Sequence, residues 1–247
     1  MKLTVVWHKP MWSSPLSPTG FACRGCLGHP GFGGIPREVE TLSQLFDSTR
    51  IVGPSFKEPI GDCFISGKNL SVVPLSWLPR SPWVTWIVLP LWLVRNILKI
   101  TREIATAEAV FAFIPSPIGF LGLILALIFR KPLLTRQLNR WSDPRWLWRM
   151  ERSALERIAG GRNVVFATGD SEEPPSTRNP AIRWLFITTL SESETAGASA
   201  RLRKPDGARL IMLGREVEAG PTLVALHALS LLAREFPGAS LDVVGDF

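Results

Sequence analysis

The sequence contains no tyrosine, only three cysteines and only three histidines, and its apolar runs are short. Cys23, Cys26 and Cys63 are odd in number and too few for a disulfide framework, which points to a reducing compartment. His8, His29 and His227 suggest no catalytic triad, and no GxSxG nucleophile turn is present. Cys23-Arg24-Gly25-Cys26 is a single CxxC with no second one, short of the four ligands a structural zinc takes, so no metal is expected. The opening MKLTVVWHKPMW holds too short an apolar stretch for a signal peptide. Residues 83–94 and 119–129 are apolar, but each falls short of the ~20 residues needed to span a bilayer.

What is present fits an ordinary folded chain. Of 247 residues, 46% are hydrophobic and 20% charged, enough apolar material for a real core. Lys and Arg number 28 against 21 Asp and Glu, a formal charge of +7 that favours anionic partners such as nucleotide phosphates or an anionic membrane surface. Nucleic acid is not expected, because no recognition motif accompanies the charge. The ten tryptophans suit interfacial or sugar-stacking roles as well as packing.

Short apolar runs alternate with helical patterns. Residues 3–7, 50–53, 70–75, 109–114 and 163–167 read as strands, and another begins at 133–135. Helices are expected over 36–46, with Val39, Leu42, Leu45 and Phe46 on one face; over 91–104, with Pro90 at its start or at a kink; over 118–129; and over 145–159, capped by Asp143 and turning Leu147, Met150, Ala154 and Ile158 to the core. Residues 182–190 should be ordered. A fresh strand–helix–strand unit follows at 208–213, 222–235 and 241–244. Repeated crossovers of this kind define an α/β protein with a Rossmann-like parallel sheet. The expected organisation is a first domain over 1–169, a connection over 170–207 and the incomplete start of a second Rossmann-like domain over 208–247. So small a last unit favours a polypeptide that continues.

Three places carry chemistry. Gly31-Phe32-Gly33-Gly34 precedes a helix whose free N–H groups can receive a phosphate or carboxylate, although the spacing is not GxGxxG. Gly214-Arg215 follows a strand at the edge where open α/β sheets bind ligands, and a guanidinium there can clamp a diphosphate. The segment 136–152 is basic and rich in tryptophan. Arg145, Trp146, Arg149 and Arg152 are its candidates for contact with anionic headgroups, and a solvated helix face is the alternative.

In ordered combination these segments resemble the GT-B glycosyltransferases of family 4. ARLIMLGREVEAGPTLVALHALSLLAREFPGASLDVVGD, residues 208–246, looks like that family's opening of the donor domain; AEAVFAFIPSPIGFLGLILALIFRKP, residues 107–132, is similar to its strand, proline turn, helix and Lys-Pro; and Gly33-Gly34 with Arg37 is similar to its glycine-rich loop and first helix. The resemblance implies a GT-B fold and a hexosyltransferase-type enzyme. It would move sugar with retention from a nucleotide-sugar donor to a glycan or lipid-linked acceptor in surface polysaccharide synthesis. No cofactor or metal is implied, and the place of work would be cytoplasmic, peripheral at the membrane's inner face. Arg215, with Gly214, matches the arginine that grips the donor diphosphate, and Gly33, Gly34 and Arg37 match the cleft loop. The family's following Lys is missing from Glu218-Ala219-Gly220-Pro221. Its His is missing from LLTRQLNRW at 133–141, where Gln137 or Asn139 would take that space. Its paired glutamates would lie beyond Phe247, so the chain by itself is expected to have little activity. A non-catalytic GT-B-like binding protein is the alternative.

Overall fold

A computed structural model of the chain describes residues 1–7, 11–13, 17, 19, 21–23, 34–56, 63–65, 67, 69–76, 82–141, 146–169, 171–185, 209–214 and 219–245. In chain order the elements are β1 (Lys2–Val6), β2 (Met11–Ser13), β3 (Phe21–Cys23), α1 (Gly34–Ser43), β4 (Ser48–Phe56), β5 (Cys63–Phe64), β6 (Leu70–Leu75), α2 (Pro82–Ala105), β7 (Ala109–Ile114), α3 (Pro117–Ile128), β8 (Leu133–Arg140), α4 (Trp146–Ile158), β9 (Asn163–Thr168), β10 (Arg183–Leu185), β11 (Arg209–Gly214), α5 (Ala219–Glu235) and β12 (Ser240–Gly245). They fall into two compact units. The first takes in the described residues up to Leu185, the second those from Arg209 on.

In the first unit the parallel strands lie in the order β6-β4-β1-β7-β8-β9-β10. The chain therefore builds outward from β1 in one direction, returns through α2, and builds outward from β7 in the other. This is the doubly wound Rossmann-like order, and its reversal falls between β1 and β7. A small extension, β2-β3-β5, pairs antiparallel within itself and joins the sheet at β4. The unit runs past the expected boundary at 169, because β10 adds a parallel strand beside β9.

Side-chain alternation gives the sheet two apolar faces. Val6, Val52, Val110, Ala112, Ile114, Leu133, Val165 and Ala167 form one core with Trp92, Ile100 and Ile104 of α2, Ile118, Leu123 and Ala126 of α3, and Leu155 of α4. Leu3, Val5, Trp7, Ile51, Phe111 and Phe113 are buried on the opposite face, the face to which the β1–α1–β4 crossover brings α1. All six residues of β7 are buried, as a strand covered on both sides requires.

Local chemistry sets the helix ends. Ser116 caps α3, its Oγ accepting the Gly119 N–H at 2.8 Å, with Pro117 opening the helix. A Cβ on Gly119 would lie 2.0 Å from the Phe113 carbonyl oxygen, and one on Gly122 2.7 Å from Val6 Cγ2, so α3 lies directly on β1 and β7. The α2 helix starts at Pro82 and continues through Pro90, two turns earlier than expected. The α1 helix ends at Ser43, leaving Leu45 exposed rather than on its apolar face. In α4 the buried stripe is Glu151 and Leu155, with Ile158 packed on the core, while Met150 is 64% exposed. The expected face is thus rotated. A charged Glu151 reads as a solvent position, but Arg152 donating to the Trp141 carbonyl (2.8 Å) and Asn179 donating to the Glu156 and Ala159 carbonyls hold α4 with Glu151 inward.

In the second unit β11 and β12 pair in parallel from Arg209 opposite Ser240 to Gly214 opposite Gly245, with α5 between them in sequence. A surface ion pair joins Arg209 and Asp242 at 2.6 Å.

Candidate functional site at the reversal of the sheet

Ligands of open α/β sheets bind outside the carboxyl ends of the strands at the reversal point. In the first unit that place lies beyond Val6 and Ile114. Trp7, the residue after β1, is fully buried. Its backbone N–H donates to the Val52 carbonyl at 2.8 Å and its ring meets Phe113 edge-on at 5.6 Å. Beside it the cis peptide Ile114–Pro115 ends β7 and leads to the Ser116 cap, so the capped start of α3 sits at this edge.

The next strand supplies the polar groups. Gln137 lies opposite Ile114 in register and is buried, and its Oε1 has no hydrogen-bond partner among the described residues. Thr135 Oγ1, two residues back on the same sheet face, is likewise unpartnered among them. The register of β8 against β9 shifts between Gln137 and Arg140, and Thr168 Oγ1 donates to the Gln137 carbonyl at 2.7 Å. Irregularities of this kind end regular pairing and re-aim side chains near sites.

On the other face Arg136 turns toward α1 and forms a direct ion pair with Glu38, both side chains 7% exposed. Arg136 lies in the segment read as a basic surface, so its burial is a correction: alternation in β8 places it beside Phe113 and Phe166. Burial pushes the Glu38 carboxyl up to about 7, the neighbouring guanidinium opposing that shift. A carboxyl that titrates near neutrality can hold or release a proton under working conditions. Glu151 is also raised to about 7, by burial, and its Oε1 is unpartnered among the described residues.

The Glu38–Arg136 contact joins the middle of α1 to the middle of β8. Gly34 and Arg37 in α1, and Gln137 and Asn139 in β8, are therefore carried by two elements in contact. Gly33, Arg145 and Arg215 lie outside the described residues. Gly214 is the last residue of β11. Trp146 opens α4, Arg149 is exposed on it, and Arg152 is half-buried with its guanidinium on the Trp141 carbonyl. Of the proposed headgroup contacts, Arg152 is thus already engaged within the fold. Among the described residues no three His, Cys, Asp or Glu side chains gather as a metal would need, and Cys23 has Cys63, not Cys26, as its register partner. Glu38 and Arg136 were not legible as a pair, because 98 positions separate them and Arg136 reads as one cation of the basic segment 136–152. Neither known-family models nor curated proteins give a match to this chain.

Proposed function

We propose that this chain is part of a nucleotide-sugar-dependent glycosyltransferase of the GT-B kind, acting with retention on a glycan or lipid-linked acceptor and working peripherally at a membrane face. The observation that carries the proposal is the reversal of the parallel sheet between β1 and β7, with the capped start of α3 and the buried Gln137, its Oε1 unpartnered among the described residues, at its carboxyl edge. A second parallel strand pair with a helix between its strands, ending in the register-paired glycines Gly214 and Gly245, supports it.

In this reading Arg215 stabilises charge developing on the departing nucleoside diphosphate. Gly33 and Gly34 let the ligand approach the start of α1, and Arg37, Gln137 and Asn139 supply polar contacts. Nucleoside-diphosphate binding measured by calorimetry, on the chain and on Arg215→Ala, tests it. The substitution should cost roughly 1.5–3 kcal/mol, the size of a charge-assisted hydrogen bond. A folded protein that binds no UDP or GDP overturns the donor-site assignment. The absence of Lys from 218–221 and of His from 133–141 favours a second reading, a GT-B-like binding protein without turnover. Nucleotide binding by the chain, with no sugar transfer or hydrolysis by the enzyme of which it is proposed to be part, would select it.

A further inference from the structure

The α2 helix buries one side and leaves the other bare. Trp92, Ile100 and Ile104 enter the core, yet Val84, Ile87, Leu91, Val94 and Leu98 are between 43% and 80% exposed. Their spacing of three, four, three and four residues places them in a single stripe along the helix. On α3, which packs against α2, Ile124, Leu127 and Ile128 are exposed as well, as is Phe129 at its C-cap. Contiguous apolar surface of this length marks an interaction site.

The charges beside the stripe have one sign. Arg95, Lys99 and Arg102 are exposed on α2, and α3 is followed by Arg130 and Lys131. The acid of α2, Glu103, is turned inward, where it accepts two hydrogen bonds from Arg50 (2.9 and 2.8 Å). Arg130 has φ 52, a left-handed conformation that normally falls to glycine at a helix end, so the chain keeps a cation there at a conformational cost.

We infer that the outer face of α2, with the exposed end of α3, is a docking surface for a bilayer containing anionic phospholipid. An apolar stripe flanked by Lys and Arg lies in the headgroup boundary with its apolar side down and its cations on phosphate. None of the described helices is long and apolar enough to cross a membrane, so the contact is in the plane of the surface. A second copy of the chain is a poor occupant, because it would set Arg95, Lys99 and Arg102 against their own like with no exposed acid on α2 or α3 to pair them. The inference deepens the peripheral-membrane part of the proposed function but does not depend on its chemistry. Nucleotide binding and vesicle binding fail or succeed separately.

The test is flotation with phosphatidylcholine vesicles, with and without phosphatidylglycerol, beside sedimentation of the protein alone. The chain should float with the anionic vesicles, less as salt rises, and only weakly with phosphatidylcholine. The double variant Ile87→Ser/Leu91→Ser alters exposed positions only and should keep the wild-type circular dichroism melt. It should lose about one hundredfold in vesicle affinity, the order expected for removing two large apolar side chains. Arg130→Gly suits the left-handed position and should weaken only the binding to anionic vesicles. The inference is overturned if the wild type fails to float with anionic vesicles, if the double variant floats equally well, or if the wild type sediments as a dimer that the double variant dissolves.

Discussion

Replacing Glu38 by glutamine asks whether burial or its arginine partner governs the charge held between α1 and β8. The carboxyl is pushed from 4.5 to about 7 by burial, with Arg136 pulling the other way. In the unfolded chain Glu38 loses its proton near its ordinary value, while in the folded chain it keeps it until near neutrality. Between those values the native state binds more protons than the unfolded one, so stability falls as pH rises. The contribution is fully present below about 4.5 and is lost as pH rises through about 7, and the difference is on the order of 3 kcal/mol.

The assay is urea unfolding followed by tryptophan fluorescence, at acid and at mildly alkaline pH, on wild type and Glu38→Gln. Glutamine mimics the protonated carboxyl, so the variant should match the wild type at acid pH, and it has no proton to lose at this position. The wild type should therefore fall below the variant in stability as pH rises across the window. Taking the gap against Glu38→Gln also removes the contribution of Glu151, which titrates in the same range in both proteins. Arg136→Met should carry the wild-type fall on to higher pH, because the guanidinium no longer holds the charged form, and should cost about 3–5 kcal/mol on the alkaline side. A wild type that keeps pace with the variant, or gains on it as pH rises, would refute the reasoning and show that the ion pair outweighs burial.

Other substitutions probe the parts that place the site. Ser116→Ala removes the cap on the Gly119 N–H and should cost about 1 kcal/mol in chemical denaturation, with little change in the denaturant slope. Gly119→Ala drives a methyl against the Phe113 carbonyl, a backbone atom with no side-chain freedom to give way, and should destabilise by about 1–3 kcal/mol or more; an unchanged midpoint would mean that α3 does not lie directly on β7. For α4, Leu155→Ala should cost about 2–5 kcal/mol and Met150→Ser close to nothing, and the reverse ranking would restore the helix face expected from periodicity.

Much of the sheet was readable because its strands carry a local signal. Ala109–Ile114, buried on both faces, and Leu70–Leu75, an edge strand with Ser71 exposed, are short apolar runs bounded by breakers, and the structure keeps those ends. The helix starts were less legible. Pro90 reads as a boundary because it removes a backbone donor, yet α2 runs through it, with Trp92 Nε1 donating to the Ser76 carbonyl at 2.6 Å and Asn96 accepting the Ser76 N–H at 3.0 Å. Such tertiary ties leave no trace in a local window. The same holds for Glu38 and Arg136, charged residues that pattern reading assigns to water and that draw one another inward, and for Glu151, which the ties of α4 turn toward the core. Gly33-Gly34 and Gln137 could be named beforehand because a loop before a helix and a strand end have positional meaning. The Arg136 contact that brings those two elements together could not.

The ties at Ser76 also bear on how the two proposals fit one another. Ser76 follows β6 at the carboxyl edge of the sheet, the edge that carries the candidate site. Since Trp92 and Asn96 are fastened there, residues 82–91 precede the anchor along α2 and occupy about 15 Å of helix at 1.5 Å per residue. A helix that only crossed back under the sheet from β6 to β7 would not need them. Val84, Ile87 and Leu91, three of the five exposed apolar side chains, belong to this overhang. The apolar stripe thus begins at the same end of the first unit as the reversal point and runs along α2 toward the far edge, where α3 ends and Arg130 and Lys131 precede β8. In the proposed docking, a lipid-anchored acceptor meets a unit that lies along the bilayer, with the overhang of α2 keeping the carboxyl edge within reach of the membrane surface.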